Sequence, residues 1–242
     1  ATTFFAYSNC TNFGPRLDLS FSATGCSSGA TGRGAGIAGL MYSAMKDALD
    51  EGRLDAPLSG NEAYQLLTRS VDDVAFNTDD DRPRLYPSHP GWDAWYGYGR
   101  SNAKLLVEAV RAGEIPPEAD IFSPGWFHSY SVADFDALVV TGRVAAPRSP
   151  GYRWELQVAA GLSPLEEDFR TVASGSGAEP FEGELARLDP AALPMDPSAP
   201  IERLERVDSN VSKAYKAHAH ALVMRLQVRD AAERLGEMRR VV

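Results

Sequence analysis

Cysteine, basic charge and long apolar stretches are all scarce in this 242-residue sequence. No apolar run approaches the roughly 20 residues that a bilayer-spanning helix needs, so the sequence predicts a soluble protein without a membrane span. The 24 Lys and Arg residues are outnumbered by 33 Asp and Glu residues, which gives a net charge of −9. Such a chain has no broad basic surface, so nucleic acid is not expected as a partner.

The two cysteines, Cys10 and Cys26, are too few to define a disulfide framework. They lie on either side of the strand-like stretch RLDLSF, residues 16–21. A disulfide between them would hold both ends of that stretch, whereas two unpaired thiols would suit a reducing compartment. The sequence leaves both alternatives open.

The first half of the chain alternates short strand-like stretches with helical patterns. Apolar residues recur at helical spacing in three segments: 36–52, 62–74 and 101–113. Ser59 followed by Glu62 forms a capping box in front of the second segment. We therefore expect an α/β domain over residues 1–115.

The second half changes character after the two consecutive prolines of EIPPEAD, residues 114–120. Apolar residues now alternate with polar ones, as in the two runs Tyr152, Trp154, Leu156, Val158 and Leu222, Met224, Leu226, Val228. Strict alternation is typical of strands with one buried and one solvated face. We expect residues 119–242 to form an all-β antiparallel sandwich of the immunoglobulin or fibronectin kind.

The stretch TGCSSGATGRGAGIAGLMYSA, residues 24–44, concentrates glycine, alanine and serine where the first helix should start. Its G-x-G-x-x-G spacing matches a dinucleotide-binding fingerprint, but a helix follows where that fold needs a second parallel strand. The small residues predict a helix that begins near Thr31 and is buried along its glycine and alanine face. The polar loop before it would place backbone N–H groups where they stabilise a developing anion.

The same stretch resembles the nucleophile segment of the subtilisin-like serine peptidases, the subtilases, which reads Gly-Thr-Ser-Met-Ala-x-Pro-His-Val-Ala-Gly-Leu. GATGRGAGIAGL, residues 29–40, aligns with it without gaps. Three further segments are similar to the family's preceding strand, following helix and closing Gly-x-Gly-x-x-Asn-Ala helix, in that order: YSNCTNFGPRLDL, LSGNEAYQLLTRSVDDV and GYGRSNAKLLVEAV. The resemblance covers residues 4–112.

This resemblance implies the C-terminal part of a subtilase catalytic domain, with part of its parallel sheet, followed by an appended sandwich. It implies a serine-type endopeptidase that acts on protein or peptide substrates. It also implies a secreted or cell-surface protein of bacterial type.

The chain departs from the family at the residues that carry the chemistry. The alignment puts Thr31 at the nucleophile position, and Ser28 is the nearest alternative. The family's Asp, His and oxyanion Asn precede its serine, but only 30 residues precede Thr31 and all four histidines follow it. The triad cannot be completed from this chain. The alternative function is therefore a non-catalytic pseudopeptidase that serves as a binding or surface-display module.

Two other groups of residues could bind a metal. An acidic loop offers oxygen ligands suited to Ca²⁺: Asn77, Asp79, Asp80 and Asp81. The competing interpretation of this loop is a solvated turn. His218 and His220 would share one face of a strand, but no third ligand accompanies them, so we interpret them as exposed strand residues. The aromatic residues between 92 and 98 are interpreted as the small core of their own loop.

Overall fold

The computed structural model describes residues 12–23, 25–75, 88–130, 136–195 and 220–242. Within these ranges the chain forms three α-helices and nine β-strands. The helices are α1 (Cys26–Asp50), α2 (Gly60–Arg69) and α3 (Ala103–Ala112). The strands are β1 (Val71–Asp72), β2 (Arg100–Ser101), β3 (Glu118–Ser123), β4 (Leu138–Ala145), β5 (Tyr152–Ala160), β6 (Arg170–Gly177), β7 (Phe181–Leu188), β8 (Leu222–Asp230) and β9 (Leu235–Val241). None of the helices in these ranges has both the length and the apolar character needed to cross a bilayer.

The described residues fall into two compact units. The first comprises residues up to 57 and from 70 to 113, and the second comprises residues 58–69 together with the chain from 114 onward. Helix α2 therefore lies in the second unit, although the sequence pattern placed it in the first domain. The helical spacing predicts a helix over residues 62–74, but α2 ends at Arg69 and residues 71–72 form β1. The buried residues of α2 are Glu62, Ala63, Gln65, Leu66 and Thr68, which local spacing of apolar residues does not identify.

In the first unit α1 packs against α3. The buried residues of this contact are Met41, Ala44 and Ala48 on α1 and Leu106 and Val110 on α3. Asn102 caps α3, because its side chain accepts hydrogen bonds from the backbone N–H groups of Lys104 and Leu105. Gly113 ends α3 in the left-handed conformation, as the sequence predicts.

The expected parallel sheet is not shown. The named sheets of the described residues are antiparallel, and the stretch RLDLSF contributes only one isolated parallel bridge, between Ser20 and Arg100. Beside this bridge the N–H of Tyr98 donates to the carbonyl of Asp18 at 2.8 Å. The prediction that residues 16–21 form a strand is therefore wrong, because a single bridge is not a ladder of paired residues.

In the second unit two antiparallel sheets enclose one hydrophobic core. Their strand orders are β3-β4-β7 and β6-β5-β8-β9. Both sheets contribute fully buried residues to this core, among them Ile121, Val140, Leu156, Val158, Met224 and Leu226. Alternation in the sequence thus predicted the buried faces of β5 and β8. Beyond residue 119 the described chain has no α-helix, only short 3-10 turns.

Helix α2 is attached to the sheets of the second unit by polar side chains. The capping box is present, because Glu62 accepts the N–H of Ser59 at 2.9 Å and donates its own N–H to the Ser59 hydroxyl at 3.0 Å. The buried side chain of Gln65 accepts the N–H of Glu237 at 2.8 Å and donates to the carbonyl of Ala119 at 3.3 Å. These contacts fix α2 across β3 and β9.

Candidate active site

Helix α1 begins five residues earlier than the sequence predicts. It starts at Cys26, after Gly25, which supplies no side-chain cap. Cys26 has a φ of 53° in the left-handed region. The polar stretch before Thr31 is therefore helix, and Ser28 and Thr31 lie on the surface of its first two turns instead of at the tip of a loop. Cys26 is disulfide-bonded, and Cys10, the other cysteine of the chain, lies outside the described residues.

The hydroxyl of Thr31 is bonded to its own helix. Its Oγ1 donates to the carbonyl of Ser27 at 2.9 Å, and the side chain is exposed. This pairing with the residue four positions back is common for Thr in helices. A nucleophile must instead donate its proton to a base. Ser28, the alternative nucleophile, is also exposed. Because Ser28 lies three positions before Thr31, the two residues are neighbours on the helix surface.

No base reaches these hydroxyls within the ranges that the structure describes. Thr31 forms no hydrogen bond to a histidine there. Nδ1 of His89 lies 3.1 Å from the carbonyl of Pro90, and the ring of His128 stacks on Tyr130 at 4.5 Å. His218 lies outside the described residues. The arrangement therefore supplies a hydroxyl without the partner that would activate it.

The glycine and alanine face in the first half of α1 is exposed, which corrects the prediction that it is buried. At three positions an added Cβ would meet no atom within 4 Å: Gly32, Gly36 and Gly39. Leu40, four positions after Gly36 on the same face, is 51% exposed. The opposite side is closed, since a Cβ at Gly34 would lie 3.3 Å from the ring of Phe21. On this face the small residues therefore have no close neighbour in the described part of the chain.

In the stretch that resembles the family's closing motif, close backbone contacts explain the two glycines. Gly97 and Gly99 both have positive φ, at 65° and 131°. A Cβ at Gly97 would lie 2.3 Å from the carbonyl oxygen of Asp18, and one at Gly99 would lie 2.4 Å from that of Asp72. Only glycine fits such close backbone contacts. Hydrogen bonds from Arg100 and then Asn102 hold the pKa of the Asp72 carboxyl below its usual range.

The aromatic residues between 92 and 98 form a small buried core, as the sequence predicts. Its buried rings are Trp92, Trp95, Tyr96 and Tyr98. Within it lies Asp93, which is 1% exposed and accepts the N–H groups of Trp95 and Tyr96 at 2.7 and 2.9 Å. Burial raises the pKa of Asp93 to about 7. Backbone hydrogen bonds from Trp95, Tyr96 and His89 oppose the increase, and the charge of Asp73 adds to it. The sequence does not single out Asp93, because its only signal is an Asp that opens a turn between aromatic residues.

The predicted calcium ligands cannot be placed. Asn77, Asp79, Asp80 and Asp81 lie outside the described residues. Among the residues that are described, no group of three or more His, Cys, Asp or Glu side chains could hold a metal ion.

Comparison with protein families and with curated proteins identifies no relative of this chain. No protein-family model matches the sequence, and no curated protein matches it significantly.

Proposed function

We propose that this chain is the C-terminal part of a subtilisin-like serine endopeptidase, with α1 as the nucleophile helix and the second unit as an appended sandwich. The observation that carries the proposal is the open face of α1. A solvent-exposed glycine destabilises a helix by about 1 kcal/mol relative to alanine, so Gly32, Gly36 and Gly39 are unfavourable here unless another segment packs against them. In the subtilases the rest of the catalytic domain packs on this helix.

The closing motif gives further support. Gly97, Gly99 and Asn102 occupy the positions of the family's Gly-x-Gly-x-x-Asn. The two glycines allow close backbone contacts, and the asparagine caps a helix. The parallel bridge between Ser20 and Arg100 joins two of the segments that resemble the family.

The second unit fits an immunoglobulin or fibronectin-like domain. Its three-stranded and four-stranded sheets are joined so that β3, β4 and β7 face β5, β6, β8 and β9. Two antiparallel sheets over one core are the architecture of that class. In the proposed protein this domain accompanies a peptidase that is exported, a setting in which the disulfide at Cys26 persists.

This chain alone should not hydrolyse peptides. Acyl transfer needs a nucleophile, a base within hydrogen-bond reach and oxyanion donors. Thr31 offers a hydroxyl that is bonded to Ser27, and its extra methyl group crowds the path of attack. The base and the oxyanion Asn have to come from a preceding segment of a longer protein.

A second function, a pseudopeptidase that binds or displays without cleaving, is favoured by the bond between Thr31 and Ser27. A hydroxyl that donates to a carbonyl of its own helix has a structural role. In that case the scaffold remains while the chemistry is lost.

The test uses a protein extended upstream by the coding sequence that precedes Ala1, together with the 242-residue chain. Both are incubated with casein and with a fluorophosphonate probe that labels activated hydroxyls. The peptidase proposal predicts labelling of the extended protein that disappears in Thr31→Ala and persists in Ser28→Ala. Labelling that appears only in Thr31→Ser identifies the pseudopeptidase. No labelling in any extended variant would overturn the peptidase proposal and leave the pseudopeptidase.

A further inference from the structure

The outer face of the four-stranded sheet holds two buried arginines. Arg225 on β8 lies between the core residues Met224 and Leu226 in sequence, so its side chain points to the opposite face. The side chains of Arg225 and Arg239 are only 4% and 5% exposed. Both guanidinium groups lie over the ring of Phe169, with their Cζ atoms 3.8 and 5.1 Å from its centroid. The ring and the sheet together fix the two cations side by side.

One carboxylate bridges this pair from the solvent side. Glu166 Oε2 lies 2.6 Å from Nη1 of Arg225, and Oε1 lies 3.2 Å from Nη2 of Arg239. The Glu166 side chain is 52% exposed and belongs to the short 3-10 turn Glu166–Asp168. The two oxygens of one carboxyl group therefore each contact a different buried guanidinium, and they do so from a surface turn.

The arginines are held in place by other groups as well. Gln157 accepts the Nε of Arg225 at 2.8 Å, and the buried Glu237 accepts the Nε of Arg239 at 2.9 Å. Burial raises the pKa of Glu237, but the nearby arginines, Arg239 first among them, outweigh burial and hold its pKa well below the usual range. The low pKa favours the ionised form of Glu237 beside Arg239. Apart from Glu166, each guanidinium therefore has at least one further hydrogen-bond partner, Gln157 for Arg225 and Glu237 for Arg239.

We propose that Arg225 and Arg239 form a carboxylate-binding site that the chain fills with its own Glu166, and that an external carboxylate exchanges with it. Guanidinium groups whose positions are fixed in advance bind carboxylate with charge-assisted hydrogen bonds and lose little side-chain entropy. The contact of Glu166 is itself weak, because a half-exposed carboxylate is screened by water and its side chain must be ordered to bind, so a sufficiently concentrated external carboxylate can compete with it. The external carboxylate comes either from a small organic acid or from an acidic side chain of a peptide.

The test compares Glu166→Ala with Glu167→Ala in the full chain. The two residues are neighbours on the same exposed turn, so both variants lose one charge, but only Glu166 contacts the arginines. Succinate is titrated into each protein while the side-chain Nε–H signals of Arg225 and Arg239 are followed by NMR. A second titration uses an end-blocked Glu-rich peptide and its Gln counterpart.

If Glu166 occupies the site in at least nine-tenths of the molecules, its removal should tighten succinate binding by about tenfold or more. The Glu167→Ala protein should bind like the unaltered chain. Tighter binding of the Glu-rich peptide than of succinate would identify a polypeptide as the source of the carboxylate, and the reverse order would identify a small acid.

Failure of Glu166→Ala to bind either probe, or equal gains in both alanine variants, would overturn the proposal. If Glu166→Ala does not fold, Glu166→Gln replaces it, because it keeps the shape of the side chain and removes the charge.

Discussion

The apolar residues at the centre of the second unit's sheets are buried, whereas the small and apolar residues on one face of α1 are exposed. In the sheets the inward residues are closed off from solvent, and Leu156, Val158 and Leu226 are all 0% exposed. On α1 the small residues lie open, and Leu40 and Tyr42 are 51% and 46% exposed. The centre of the sandwich is thus closed off from solvent, whereas one face of α1 is open within the described part of the chain.

This difference shows what an apolar pattern encodes. Periodicity identifies the residues that share a face, and it did so correctly for β5, β8 and the second half of α1. Whether that face is covered depends on the presence of a partner element, which no local pattern specifies.

The largest expected effect contrasts two leucines. Leu226→Ala opens a cavity in the centre of the sandwich and should lower the free energy of unfolding by about 4 kcal/mol. Leu40→Ala removes an exposed side chain and should change it by less than about 0.5 kcal/mol. Chemical denaturation followed by circular dichroism measures both. Similar losses in the two variants would contradict the contrast between the two regions.

The second expected effect separates the two regions by pH. Asp93 has a pKa of about 7 in the folded chain, against roughly 4 when unfolded. The folded state therefore favours the proton: the stabilising contribution is complete below pH 4 and is lost as the pH rises through 7. Between pH 5 and pH 8 the first unit should lose roughly 2–3 kcal/mol.

The Asp93→Asn variant isolates this effect. The amide oxygen keeps the hydrogen bonds from Trp95 and Tyr96, and the titrating proton is gone. The difference in pH dependence between the unaltered chain and the variant is measured by hydrogen exchange of amides in residues 88–101. Equal slopes in the two proteins would show that Asp93 does not titrate in this range.

The third expected effect tests a backbone contact of the first unit. Gly97→Ala forces a Cβ against the carbonyl oxygen of Asp18 and places alanine at a φ of 65°. We expect a loss of about 2 kcal/mol or more. Thermal unfolding measures it, and Gly52→Ala, at a φ of 70° with open space around it, is the matched control. If both variants lose the same amount, the cost comes from φ alone and the close contact contributes nothing.

Local signals in the sequence predicted local features well. The Ser59 and Glu62 capping box and the Gly113 stop depend only on neighbouring residues, and both are present. The alternation in β5 and β8 also predicted the buried core, because a strand has only two faces.

Features that depend on distant contacts could not be predicted. The unit to which α2 belongs is decided by Gln65 contacting Glu237, a residue 172 positions away. The bridge from Glu166 to Arg225 and Arg239 joins a turn to two strands and leaves no periodic trace in the sequence. The raised pKa of Asp93 likewise follows from its burial within a loop, and the structure of that loop cannot be predicted from amino-acid composition.

The smallest expected effect bears directly on the open face of α1. Gly36→Ala should raise the free energy of unfolding of this chain by about 1 kcal/mol, because the new methyl group meets open space and alanine favours the helix. Gly34→Ala is the control on the closed side of the same helix, where the methyl group would contact Phe21 at 3.3 Å, and it should gain less or lose stability. Both are measured by thermal unfolding, in this chain and in the protein extended upstream. A gain for Gly36→Ala that turns into a loss in the extended protein is expected if a preceding segment packs on this face. A gain of the same size in both proteins would mean that the face stays open, and the proposal that α1 is the buried helix of a larger catalytic domain would be wrong.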